Sequence, residues 1–313
     1  AFLAVGNRPA NQMTVKAGAK KDGTLTALEM TGTGSSGAYP GGGVGGVDFV
    51  VRDLYRCPNV RTELQDVYIN AGQVRAFRAP GHPQGAWALE QTLDELAEKL
   101  GLDPVEFRVR NVPEVSQSRG NTPYSTTGLR ACLEEGAKRF GWAEARKRAQ
   151  AQGVIRRGVG VAAGMWQGGA GSPPATIVVK VFADGSANLN MGAADIGTGT
   201  KTVMAMVASE ELGIGLDHIR VEHADTGTSP YGVASGGSQT VHVNTPAARE
   251  AALALKRQVV TMAAAQLGVP EDDLALAGGE VASTKDPAKR VRISELKQLQ
   301  QQQVIVGVGT RHP

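Results

Sequence analysis

The most regular signal in the chain is the apolar stripe of GAWALEQTLDELAEKLG, residues 85–101, where Leu89, Leu93, Leu96 and Leu100 recur every three or four positions. That period predicts an amphipathic helix closed by Gly101 as its C-terminal cap, with Glu90, Asp94 and Glu98 on a solvated face. LDPVEFRVRN then predicts a short helix with Asp103 as N-cap and Pro104 in the first turn. A third helix, around Leu129 to Phe140, carries Cys132 on its apolar side. Extended runs flank the Lys21-Asp22-Gly23 and Asp184-Gly185 turns, and Asp-Gly between such runs predicts a tight hairpin. Beyond the second hairpin, Val203, Met206 and Val207 give helical spacing, HIRVEHAD reads as a strand, and an Ala-rich helix covers roughly Pro246 to Leu267. SELKQLQQQQ is a further helix with a glutamine-rich surface. The sum is an α+β fold of two mixed α/β lobes, with short sheets flanked by helices. Residues 1–112 belong to the first lobe, 113–157 form a helical connector around the charged stretch ARKRAQAQGVIRR, and 158–313 belong to the second.

Composition changes this picture in one respect. At 313 residues the chain exceeds the ~250–300 at which single cores stop growing, in keeping with two lobes. Glycine is the outlier: 41 residues, about 13% against a usual ~7%. A formal charge of +3 with no run of five basic residues argues against nucleic acid, and no run of 18 apolar residues predicts a membrane span. Cys57 and Cys132, read as two reduced buried thiols, are too few for an iron–sulfur cluster or a Cys-based zinc site in this chain. The five histidines are scattered. His218 and His223 are five apart in a predicted strand and face opposite sides, which argues against zinc. The opening AFLAVGNRPANQ and the closing GVGTRHP read as cuts through a longer protein.

The candidate chemistry lies in the glycine-rich loops. Gly197-Thr198-Gly199-Thr200 falls where the chain turns from strand to helix, so its backbone N–H groups are free to point at an anion. Neither the third glycine of a dinucleotide fingerprint nor the Gly-Lys-Ser/Thr of a phosphate loop is present. Ser235, Gly236, Gly237, Ser238 and Thr240 form a second donor-rich turn ahead of the long helix, and GGGVGG at 41–46 a third. Arg78, in VRAFRAPGHPQ, offers a forked cation before a helix. Together they predict a long polar ligand gripped by backbone.

The block RAFRAPGHPQGAWALEQTLDELAEKLGLDPVEFRVRN resembles the signature of the molybdopterin-binding large subunit of the xanthine dehydrogenase and aldehyde oxidoreductase family. NMGAADIGTGTKTVMAMVASEELGI and HADTGTSPYGVASGGSQT resemble its second pterin-binding region. The resemblance implies a molybdenum hydroxylase, in which molybdopterin in its cytosine dinucleotide form binds molybdenum and water supplies the oxygen inserted into an aldehyde or N-heterocycle. It also implies an iron–sulfur subunit, an FAD subunit and a bacterial cytoplasmic or periplasmic setting. Carried over by motif, Ala76, Phe77 and Arg78 match the loop near molybdenum. Ile196, Gly197 and Thr198 match the pterin segment, and Gly237, Ser238 and Thr240 the phosphate side. Pro80, Ala163, Gly164 and Trp166 fall where the family lines its substrate pocket.

Departures narrow the substrate. Gly46 and Pro80 stand nearest to where purine-oxidising members carry an arginine and a clamping phenylalanine, which argues for an aldehyde or another aromatic. Thr198 replaces a common glutamine. The family's Gly-Gly-Gly-Phe-Gly loop and its general-base glutamate are expected outside residues 1–313. Gly307-Val308-Gly309-Thr310 ends in a threonine that cannot take the base's role at neutral pH. The expectation is a piece that lacks its catalytic base and does not turn over alone. Two other readings compete: a non-catalytic phosphate- or nucleotide-binding module, and a scaffold for cluster-bearing partners.

Overall fold

The computed structural model describes residues 5–149, 154–166, 171, 173–223 and 225–312. The chain forms two compact units, Ala1–Trp166 and Gln167–Pro313. Residues 150–153 of the expected connector lie outside the described residues; residues 113–149 fall within the first unit.

In the first unit, β1 (Asn11–Ala19) and β2 (Leu25–Gly37) pair antiparallel. Asp22 Oδ1 accepts the Thr24 N–H across their turn at 3.0 Å, the local bond that makes Asp-Gly a hairpin signal. After α1 (Phe49–Asp53), β3 (Val60–Tyr68) joins β2 in parallel. α2 (His82–Leu100) places Leu89 and Leu93 in the core and ends on left-handed Gly101. Complete burial of such a leucine contributes about 1.5–3 kcal/mol. α3 (Pro104–Arg110) starts as expected, with Asp103 Oδ1 accepting the Val105 N–H at 2.8 Å. The two-residue strands β4 (Val115–Ser116) and β5 (Thr122–Pro123) pair before α4 (Leu129–Phe140) and α5 (Trp142–Ala149). Cys57 is buried, but Cys132 on α4 is exposed, a departure from the expected pair of buried thiols; only Leu133 of α4 is fully covered. Of the glycines of 41–46, Gly43 and Gly46 are tightly packed: a Cβ on Gly46 would come 2.6 Å from the Pro80 carbonyl, and one on Gly85 of α2 would collide with the Val47 carbonyl.

In the second unit, β6 (Ala175–Phe182) and β7 (Ala187–Met191) form the Asp184-Gly185 hairpin. α6 (Thr200–Leu212) crosses to β8 (Ile219–His223), which lies parallel to β7. His218 sits in a 3-10 turn before β8, outside the strand expected to carry it. α7 (Thr240–Leu267) begins six residues before Pro246, which the helix takes inside it. The strands β9 (Leu274–Ala277), β10 (Glu280–Ser283) and β11 (Arg290–Arg292) form a meander. α8 (Lys297–Gln302) then leads to β12 (Val304–Arg311), which pairs antiparallel with β6 to give the order β12-β6-β7-β8. Ala247, Ala251 and Leu255 of α7 and Ile177, Val179 and Val181 of β6 are among its fully buried core residues. No described helix is long and apolar enough to cross a membrane.

Candidate functional site

In the first unit, Ala76, Phe77, Arg78 and Pro80 occupy one exposed turn between β3 and α2. Its backbone is fixed from two sides. Arg8 donates from Nη2 to the Arg78 carbonyl at 2.7 Å and from Nη1 to Gln84 Oε1 at 3.2 Å, while its guanidinium lies 5.0 Å from the Phe77 ring centroid. His82 donates from Nδ1 to the Pro80 carbonyl at 3.0 Å; its ring is stacked on Phe49 at 5.5 Å and tilted against Trp166 at 4.4 Å. Ala79 adopts φ 53, a left-handed conformation that costs a non-glycine residue and persists where neighbours enforce it. The Arg78 side chain makes no hydrogen bond or ion pair among the described residues, so its fork is available to a ligand.

The four expected pocket residues separate into two pairs. Pro80 and Trp166 meet across His82. Ala163 and Gly164 line a cavity of about 660 Å³ with Leu129, Cys132, Phe140 and Trp142.

Glu90 contradicts the expected solvated face, for it is buried, whereas Asp94 is part-exposed and Glu98 exposed as expected. Arg108 is fully buried, donating from Nε to Glu90 Oε2 at 2.8 Å and ion-paired through Nη1 with Asp94 Oδ1 at 2.7 Å. It also donates to the Pro104 and Glu90 carbonyls. Burial opposes its charge, but Glu90, Tyr55 and Asp94 hold the guanidinium above its usual range. Burial, then the Glu90 carboxylate, pushes the Tyr55 hydroxyl up, keeping it protonated. Glu90 Oε2 accepts a further bond, from the Ala163 N–H at 2.9 Å. Glu90 reads as surface from helical period alone because its partner arrives on α3.

In the second unit, the structure brings the two expected cofactor loops together. The loop of Ile196, Gly197 and Thr198 runs from β7 into α6, and that of Gly237, Ser238 and Thr240 opens α7. Ser235 donates from Oγ to the Ala194 carbonyl, and Gly192 and Gly232 pack so closely that a Cβ on either would collide with the other strand of backbone.

The two helix N-termini differ. Three of the four amides read as free at 197–200 are occupied: Asp195 Oδ1 accepts the N–H of Gly197 at 2.9 Å, Thr198 at 3.1 Å and Gly199 at 3.2 Å, and Oδ2 accepts that of Lys201 at 3.1 Å. The bond from Lys201, with those from the glycines and Thr198, holds the Asp195 carboxyl below the usual carboxylate range against a smaller opposing effect of burial. An aspartate two residues before a Gly-x-Gly turn was the signal for this closure. α7 by contrast has no side-chain cap among the described residues; its first helical bond runs from Val243 N–H to the Gln239 carbonyl, and Ser238 enters with φ 55. Among the described residues the N–H groups of Thr240, Val241 and His242 have no partner, at the positive end of a 28-residue helix. Nearby segments also hold buried acceptors without a partner, Asn244 Oδ1 and Asn190 Oδ1, whose amide nitrogens bond the Thr240 and Thr228 carbonyls. Native proteins rarely leave such atoms unpaired, and each has an acceptor lone pair to offer a polar donor.

Comparison with known proteins decides what this arrangement belongs to. Molybdopterin cofactor-binding domains match residues 1–112 and 135–311. The xanthine dehydrogenase molybdenum-binding subunit of Escherichia coli O157:H7 is 34% identical over 302 residues, covering 91% of this chain and 39% of its own length. The aldehyde oxidoreductase molybdenum-binding subunit of the same organism is 31% identical over 282 residues, covering 88% and 37%. The chain belongs to the molybdopterin cofactor-binding family of the xanthine dehydrogenases and aldehyde oxidoreductases. It spans less than half the length of these relatives. Quinoline 2-oxidoreductase from Pseudomonas putida 86 superimposes with a TM-score of 0.75 at 22% identity, covering 100% of this chain and 44% of that one. Aldehyde oxidoreductase from Desulfovibrio gigas gives 0.72 at 26% identity, covering 97% and 32%. These folds are mixed helices and short sheets, as expected for two α+β lobes.

Within the molybdopterin family the chain is a cofactor-binding region, and nothing in the comparisons supports a free-standing nucleotide module. Each unit taken by itself has donors of the kind a pterin with a phosphate arm needs: in the first an arginine with no partner among the described residues, in the second a helix N-terminus without a side-chain cap among the described residues.

Proposed function

We propose that this chain supplies two cofactor-gripping surfaces of a molybdenum hydroxylase that acts on an aldehyde or an N-heterocyclic aromatic compound. The observation that carries the reading is the contrast between the closed N-terminus of α6 and the open one of α7. The anionic arm of the cofactor belongs where donors are unspent, on Gly237, Ser238 and Thr240. Ile196, Gly197 and Thr198 form a pre-set surface for the uncharged pterin, shaped by Asp195. Arg78, with Ala76 and Phe77, offers a fork to the pterin end on a turn that Arg8 and His82 keep from collapsing. Pro80, Ala163, Gly164 and Trp166 border the substrate. When bound, the cofactor supplies hydroxylation of an electron-poor carbon with water as the oxygen source.

The cytosine dinucleotide form, iron–sulfur and FAD subunits, and a cytoplasmic setting complete the reading. A relative 31% identical over 270 residues, the gamma subunit of the 6-hydroxypseudooxynicotine dehydrogenase complex of Paenarthrobacter nicotinovorans, supports an assembly of several subunits. The general base lies outside these residues; Thr310, at the end of Gly-Val-Gly-Thr, is a β12 residue whose N–H bonds Glu250 Oε2 at 2.8 Å.

The test is molybdenum and pterin content of the longer subunit, co-expressed with its partners, beside this chain alone. Metal in the longer protein, and its loss in Arg78→Ala and Gly237→Val, is the expected result. A metal-free longer protein defeats the reading. This chain alone is expected to show no aldehyde oxidation, and turnover by it would place the base within residues 1–313.

A further inference from the structure

Residues 159–166 lie outside any helix or strand and alternate half-buried Val161, Ala163 and Met165 with exposed Ala162, Gly164 and Trp166. This is the burial rhythm of a strand, yet the segment pairs with no strand among the described residues. Its backbone is instead tied to α2 by the bond from the Ala163 N–H to Glu90 Oε2. The same oxygen receives Arg108 Nε, and Arg108 is in turn braced by Asp94 and the Pro104 carbonyl. A strut between α2 and α3 needs only the Arg108–Glu90 contact. The bond to a residue 73 positions along the chain is an additional use of that carboxylate.

We infer that Glu90 is a positioning residue: clamped by Arg108, its carboxylate fixes the Ala163 amide and so sets the wall that segment 159–166 presents to substrate. The inference rests on the functional reading above for the substrate's place, but the latch itself does not. A charged acceptor gives a shorter and stronger bond than a neutral one. Glu90 is buried and ion-paired with Arg108, so the acceptor that the Ala163 N–H meets is itself held in place. The cavity beside it is widened by Gly128, Gly136, Gly160 and Gly164, where an added Cβ would meet nothing within 4 Å. Opposite Leu129, Phe140 and Trp142, the 160–164 wall carries two glycines, Ala162 and Ala163 beside Val161, so the position of its backbone sets how much room remains.

Two measurements test this. In the chain itself, hydrogen exchange at the Ala163 amide should accelerate at least about tenfold in Glu90→Ala and stay near wild type in Glu90→Gln, whose carboxamide oxygen still accepts. Equal exchange in wild type and Glu90→Ala overturns the latch, whatever the enzyme does. In the loaded longer enzyme, the kcat/KM ratio for acetaldehyde over benzaldehyde should shift about tenfold in Glu90→Ala and in Ala163→Pro, with Glu90→Gln restoring most of it. Ala163→Pro removes the donor and leaves the Glu90–Arg108 pair intact, so it stays informative where Glu90→Ala unfolds. An unchanged ratio in Ala163→Pro, with wild type oxidising both aldehydes, overturns the inference. A wild-type enzyme that oxidises neither defeats the functional reading instead, and the exchange result then decides the latch.

Discussion

Asp195 shows how one side chain redirects a loop. Its carboxylate spends four backbone N–H groups that would otherwise invite an anion, so a Gly-x-Gly turn that reads as an anion nest is a finished surface. Because these bonds lower its folded pKa, their contribution is complete above the unfolded value of about 3.9 and is lost as pH falls through the lower folded one. Protection factors at Gly197, Thr198, Gly199 and Lys201 should therefore hold from neutral pH down to about pH 4 and collapse in stronger acid, whereas Asp195→Asn should lack that acid step. Glu90 carries a different lesson. Helical spacing correctly assigned its neighbours Leu89 and Leu93 to the core, but no period within α2 announces that an arginine from α3 will bury itself against the polar flank. Glu90→Ala leaves that guanidinium to Asp94 and two carbonyls alone and should cost up to about 3 kcal/mol in urea unfolding. Arg8 was invisible for a similar reason: its partners lie about seventy residues away, at Arg78 and Gln84.

At the scale of elements, local signals were read where the chemistry is local. Asp103 as N-cap, Gly101 as C-cap and the two Asp-Gly hairpins all depend on bonds within a few residues. Pairings that depend on distant chain were not legible: β3 beside β2 in parallel, and β12 along β6. The Gly-Val-Gly-Thr of β12 illustrates the cost. What resembles a catalytic motif is a packing seam, since Cβ atoms on Gly307 and Gly309 would collide with the Ala251 and Ala247 carbonyls of α7. The start of α7 was misplaced because proline favours a first turn, whereas the helix here begins at Thr240 and tolerates Pro246. Gly309→Ala should overpack the α7–β12 seam and destabilise the chain by about 1–3 kcal/mol, read as a lower denaturant midpoint at unchanged slope.

For the whole molecule, each unit carries a core of its own: Leu25, Met30, Leu89 and Phe107 in the first, Ile177, Leu189, Ala251 and Leu255 in the second. Calorimetry should resolve two transitions, and Gly309→Ala should lower only the one belonging to Gln167–Pro313. Both cysteines lie in the first unit, one on the open face of α4 and one in the core, where burial pushes the Cys57 thiol up. A maleimide dye will therefore find a single target on the native chain, at Cys132. Every second dye taken up counts an opening of the first unit, so the slow stoichiometry of labelling becomes a clock for that unit's breathing to which the other half contributes no thiol.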